Sequence, residues 1–482
     1  MLRALLVALL LAACPSIVQA DIVFYTIPGT TLTFLLQGSA KINPGQTVTF
    51  RHQAFGNLYM GAHDVRILKT KPTSSIAMQM RRGAEADQDL DKCFAAARFA
   101  LRTGQLKEFY ANAANAWKIA PENAAVTRLV NMKREIDKTV PINPAQKKTM
   151  EDYMKNRPGM EFTRSKHYVL MHDTGNKINK RTKLTRAQER LKLLEIVYES
   201  YMMKFSLEGV MLTVPKEPLM VVLFSEYDDY LGFSSSISPT LASTAGFFDR
   251  KSQIAVFFDQ GTDDTFDFLY KINTQLQIEK KRLMRTREPG AKDRIRLADT
   301  LQLLIEVNRA NLDIEVVSHE ATHQLAGNTG LMPGDSPVPV WAAEGLATYF
   351  ESPKEAAWGG IGAVNEERLE LYRYLAPVTD ISNIRFIVTD QIFTRASSNF
   401  STMHAYAQSW ALTHFLMDRH FTKLMKYYQK LSEHKGNLRL SEEKYIEIFT
   451  EAFEGRTIDQ LDLEWKSYMR GLKTDLERVL NR

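Results

Sequence analysis

Residues 312–330 read LDIEVVSHEATHQLAGNTG. Ile314, Val317, Ala321 and Leu325 recur at the spacing that gives a helix one apolar face, and Gly327 and Gly330 mark where it ends. His319 and His323, at i and i+4, then lie one turn apart on one side of that helix. Two imidazoles so placed reach a single metal ion, each through a neutral ring nitrogen. Glu320 adjoins the first histidine, where its carboxylate reaches a metal-bound water rather than the metal and serves as a general base. The chain holds only 10 histidines in 482 residues, so a chance HExxH match has a probability on the order of 1%.

A third ligand is expected downstream, and Glu344 in PVWAAEGLATYFES (339–352) is the candidate. Trp341, Leu346, Ala347 and Phe350 make the surrounding helix apolar, and a carboxylate buried there is costly unless it meets a cation. Glu351, beside Ser352-Pro353, is the alternative acid and suits an exposed or ligand-orienting place. Two histidines and a glutamate leave the fourth position of a zinc ion to water, the arrangement of a catalytic rather than a structural site.

Outward from this motif, residues 160–482 read as one larger unit. SKHYVLMHDT (165–174), PLMVVLFS (218–225) and SQIAVFFD (252–259) are strand candidates. LTRAQERLKLLEIVYESYMMKF (184–205) is a helix whose Leu191, Leu194, Val197 and Tyr201 face the core. Helix then covers roughly 262–310, broken at Pro289-Gly290. The expected class is α+β: a mixed sheet with the HExxH helix, preceded by a small β module over 21–80, a helical segment over 81–140 and a linker over 141–159. The helical segment resembles one tetratricopeptide-type unit.

Residues 1–20 form an export signal, with Met1-Leu2-Arg3 before the apolar run from Ala4 to Ala13. That run is too short to span a bilayer. Cleavage after Ala20 and lipidation at Cys14, in the lipobox-like Leu11-Ala12-Ala13-Cys14, are both open. Cys93 has no partner for an internal disulfide and reads as a core thiol. A net charge of +6, from 62 basic and 56 acidic residues, argues against a nucleic-acid role. The densest basic stretch, 280–296, is interrupted by acids and reads as a solvated helix face.

HEATHQL with the downstream WAAEGLATYF resembles the glutamate-ligand zincins of the thermolysin and M1-aminopeptidase type. More closely, it resembles the DUF1570 family, described as peptidase-MA-like. The resemblance implies a zincin-like peptidase domain with one Zn2+ held by His319, His323 and Glu344, a water nucleophile and a peptide or protein substrate. It further implies that residues 252–259 form the edge strand beside the cleft. The chain departs from the thermolysin pattern at Thr348, where an acid orients the first histidine; Asp313 or Glu351 is then expected to take that task. Tyr406, ahead of His404, is the candidate donor to the transition state. His414, His167 and His172 read as structural, and Asn328 as a helix cap. The resulting expectation is an exported zinc metallopeptidase; its alternative is a weakly active or inactive zincin-like scaffold that binds an envelope protein or peptide.

Overall fold

The computed structural model describes residues 21–480, apart from 29, 30, 32, 156, 158, 287, 397, 398, 437 and 438. The expected export signal, with Cys14 and Ala20, lies outside the described residues. The chain divides into two compact units, one of residues 1–82 with 269–307 and one of 83–268 with 308–482.

The first unit holds a five-stranded antiparallel sheet in the order β4-β3-β2-β1-β5, with β1 Asp21–Thr26, β2 Thr33–Asn43, β3 Thr47–His52, β4 Gly56–Gly61 and β5 Val65–Leu68. Alternation puts Val23, Tyr25, Leu36, Val48 and Phe50 inside, together with Leu303 from the second segment of the unit. The β2–β3 turn carries Gly45 and Gln46 at φ 85° and 56°, as Pro44-Gly45 suggests. β4, GNLYMG, was not expected: two glycines and an asparagine give it little strand propensity, and Leu58 and Met60 alone mark its buried side. Gly56-Asn57, a pair whose composition suggests a turn, begins this strand instead. Charge in the basic stretch is answered locally. Lys280 pairs with Asp299, Arg282 with Glu279 at 2.6 Å and Arg294 with Glu288 at 3.0 Å.

The second unit is mostly helical around a five-stranded mixed sheet in the order β6-β7-β8-β10-β9. Its strands are β6 Glu161–Arg164, β7 Tyr168–His172, β8 Leu219–Phe224, β9 Gly246–Asp249 and β10 Ile254–Phe258. β7, β8 and β10 run parallel, and every residue of β7 and β10 is buried. That is why these strands read as continuous apolar runs rather than as alternating ones. β6 and β9 close the sheet antiparallel at its two edges. The expected edge strand at 252–259 is therefore corrected: β10 is interior, and the short β9 before it is the edge.

Helix Arg186–Leu207 begins in a capping box between Thr185 and Gln188 and buries Leu191, Leu194, Val197 and Tyr201. Residues 81–140 form helices that include Leu90–Arg102, Leu106–Ile119 and Ala124–Ile136, and no tetratricopeptide repeat is identifiable among the described residues. Cys93 is buried, and burial raises its thiol pKa. Within the expected linker, Pro144–Lys155 is a helix; Met150 enters the core and the Gln146 amide donates to the Pro218 carbonyl at 2.8 Å. Among the described residues no helix is long and apolar enough to cross a membrane. The class is α+β, a small N-terminal sheet followed by a mostly helical region.

Candidate metal site

His319 and His323 lie on helix Ala291–Asn328, in the part that belongs to the second unit. Val317, Ala321 and Leu325 bury the opposite face of that helix in the core, which leaves the two imidazoles one turn apart. Their ring centroids are 4.8 Å apart at 77°, and the two Nε2 atoms are 3.1 Å apart. Gln324, fully buried, fixes the helix to the sheet by donating to the carbonyls of Met220 and Gln253 at 2.8 and 2.9 Å. Asn328 does not simply cap the helix; its amide also reaches Gln253 Oε1 at 2.8 Å.

Glu344 comes from helix Val340–Phe350. Its Oε2 lies 3.1 Å from His319 Nε2 and 3.4 Å from His323 Nε2. The three ligand atoms all fall within 4.8 Å of one another. Two features place this helix. Its first N–H groups, from Val340 and Trp341, donate to the carboxylate of Asp390 at 2.7 and 2.9 Å, a cap supplied from far along the chain. Gly345, next to the acid, lets helix Asn399–Arg419 approach: a Cβ there would sit 2.7 Å from the Ser409 carbonyl oxygen.

Glu351 follows at the end of the same helix. Its Oε2 accepts from His319 Nδ1 at 2.9 Å, while Oε1 accepts from Arg368 Nε at 2.8 Å. Glu351 is thus the acid that orients the first imidazole. Asp313 is not, because it pairs with Arg186 and Arg190 and accepts from the Gln260 N–H at 3.1 Å. Thr348 is not either, since its hydroxyl donates to the carbonyls of Glu344 and Gly345 at 2.7 and 3.0 Å.

The charges follow this geometry. Burial works against ionised Glu344, yet His323 and His319 hold its carboxyl well below the usual range. Burial also works against protonated His319, yet hydrogen bonds to Glu344 and Glu351 keep its pKa well above the usual value. Glu320 is shifted upward by burial. Tyr406 has its ring 6.3 Å from that of His319, and the charge of Glu344, then burial, keeps its phenol protonated. His404 instead stacks on Tyr374 at 5.6 Å. His414 sits between the Gly362 carbonyl and the Tyr468 hydroxyl, at 3.2 and 2.7 Å. His167 contacts Glu195 at 2.7 Å, and His172 contacts Thr163 and Thr174 at 3.0 and 3.1 Å, all away from the metal ligands.

Two imidazoles and a carboxylate, preorganised and half-buried, are a donor set that fits a divalent metal. Two further residues of the site were not found from sequence. Arg368 and Asp390 carry no local pattern that ties them to His319 or Glu344.

Residues 313–436 match the model of a family described as "Protein of unknown function (DUF1570)". The match covers less than half of the chain and carries no activity with it. No curated protein and no solved structure matches the chain. The zinc-metallopeptidase reading is corrected at this point. The metal-ligand group that the fold assembles is His319, His323 and Glu344. Glu320, the expected base, is no member of that group although it sits inside the residue pattern. Hydrolase, protease and zinc-enzyme assignments are accordingly not sustained.

Proposed function

We propose that this chain is a divalent-metal-binding scaffold of the cell envelope, which holds a protein or peptide rather than turning it over. The observation that carries the reading is the convergence of His319 Nε2, His323 Nε2 and Glu344 Oε2 on one spot, with Glu351 aligning His319. A bound ion would join helix Ala291–Asn328 to helix Val340–Phe350, stiffening the face those helices present. Zinc is the first ion to try, because the donor set suits it while not specifying it. Two features support partner binding. Among the described residues no strand pairs with the outer side of β9, and its Gly246 runs close to Val316 and Glu320: a Cβ there would meet them at 2.9 and 3.2 Å. The N-terminal sheet also exposes Ile42 and Tyr59. The envelope address rests on residues 1–20.

Elemental analysis of the purified chain tests the metal. About one divalent ion per chain is expected, lost in H319A/H323A and in E344A. A folded chain that holds none after zinc is supplied sinks the reading. Peptides incubated with the metal-loaded chain should be recovered intact. Cleavage that tracks the metal would restore the enzyme reading and remove the scaffold one.

A further inference from the structure

Arg368 sits in helix Glu366–Leu375, where its own N–H donates to the side chain of Asn365 at 3.1 Å, fixing the backbone from which the side chain departs. The guanidinium is largely buried and touches three things. Nε and Nη2 reach Glu351 Oε1 at 2.8 and 2.7 Å. Nη2 also lies 3.4 Å from Glu315 Oε1, one helical turn before His319. The guanidinium carbon is 5.6 Å from the centroid of the Tyr406 ring, the aromatic group beside His319.

Both oxygens of Glu351 are therefore engaged, one by His319 and one by Arg368, and the carboxylate cannot turn without breaking both contacts. Glu351 is 2% exposed. Without the guanidinium, an ionised carboxylate at that depth would keep only the imidazole as partner, which is costly. It would then turn away, and His319 would lose the alignment that presents Nε2 to a metal. We propose that Arg368 is a positioning residue for the metal site. It holds Glu351 on His319 while seating Tyr406 and the Glu315 turn, and so sets metal affinity without touching a metal ligand. A lysine in its place keeps the charge but not the planar fork.

The proposal rests on the metal reading above, and the test separates the two. The probe is Co2+ titrated into the full metal-stripped chain, read by visible absorption, with a chelator competition for affinity. R368M should weaken cobalt binding roughly 10- to 100-fold, and R368K by less, each with a shifted absorption band because His319 reorients. E351Q should weaken binding similarly, and E351Q/R368M should add little to E351Q alone, since both residues act through one contact. A wild-type chain that takes up no cobalt overturns the metal reading and this inference together. Wild-type uptake with unchanged affinity and spectrum in R368M overturns the inference alone. Should R368M fail to fold, R368K with its charge retained decides by the same two readouts.

Discussion

Helix Ala291–Asn328 contributes to two buried charged clusters, at Asp313 and at His319–His323, and they are built on opposite principles. Around Asp313, two carboxylates face three guanidiniums: Asp313 meets Arg186 and Arg190, and Asp259 meets Arg186 and, at 3.2 Å, Arg309. Arg186 draws on both acids, and its charge is firmly held. Positive charge is complete there without anything from outside, and the cluster ties helix Arg186–Leu207 to the end of β10. Around His319 the balance is reversed. Glu315, Glu320, Glu344 and Glu351 surround two imidazoles and a single guanidinium. Burial and the charge of Glu351 push Glu315 up to about 7, and burial pushes Glu320 upward as well. Buried charge closed by its own partners is architecture, whereas buried carboxylate in excess of fixed cations is a place for a cation.

The largest effect that would sharpen this contrast belongs to the closed cluster. Asp313→Asn leaves buried Arg190 with only the more distant Asp259 carboxylate, at 3.5 Å, and should cost about 3–5 kcal/mol. Denaturant unfolding of the metal-stripped chain measures it, and a loss that bound metal fully restores would mean that the two clusters are one. The next effect uses His414, a buried histidine away from the metal ligands. Among the described residues His414 meets a carbonyl and a hydroxyl but no carboxylate at hydrogen-bond distance, and burial pushes it down to about 4, the opposite of His319. Because its folded pKa lies below the unfolded value near 6.5, its share of stability is complete above that value. It is lost as pH falls from about 6.5 towards 4, up to about 3 kcal/mol in all. Unfolding curves at pH 7 and pH 4.5, compared with those of H414Q, check this, and an unchanged slope in H414Q would count against it. The smallest effect is at Thr348. Its hydroxyl bonds only to its own helix, so T348V should change stability by less than about 1 kcal/mol and leave metal affinity unaltered. A drop in affinity would mean that Thr348, and not Glu351 alone, orients the first imidazole.

How much of this was legible in the sequence depends on how far apart the partners are. His319 and His323 lie within one turn, so local spacing was enough, and Glu344 betrayed itself as an acid in an apolar helix. β7, β8 and β10 announced themselves as apolar runs because they are buried on both faces. β4 stayed hidden behind its glycines. Helix Pro144–Lys155 was hidden too, because it buries few residues and its polar face reads as a linker. The choice among Thr348, Asp313 and Glu351 needed three-dimensional contact, since only a hydrogen bond to Nδ1 distinguishes them. Arg368 and Asp390 were out of reach for the same reason. The edge strand was misplaced by its neighbour, because β9 is four residues long and β10, although interior, has the longer apolar run.

Gly345 carries a lesson for anyone scanning genomes for this site. The acid before it is a poor tag by itself, since glutamates are everywhere. The glycine is a better one, because it is legible only together with small residues such as Ser409 and Thr413 on the facing helix. A chain that keeps the histidine pair but places bulk at Gly345 or Thr413 would force the helices apart and carry Glu344 away from its partners. Such a chain should be counted as having lost the site even though every ligand survives in its alignment.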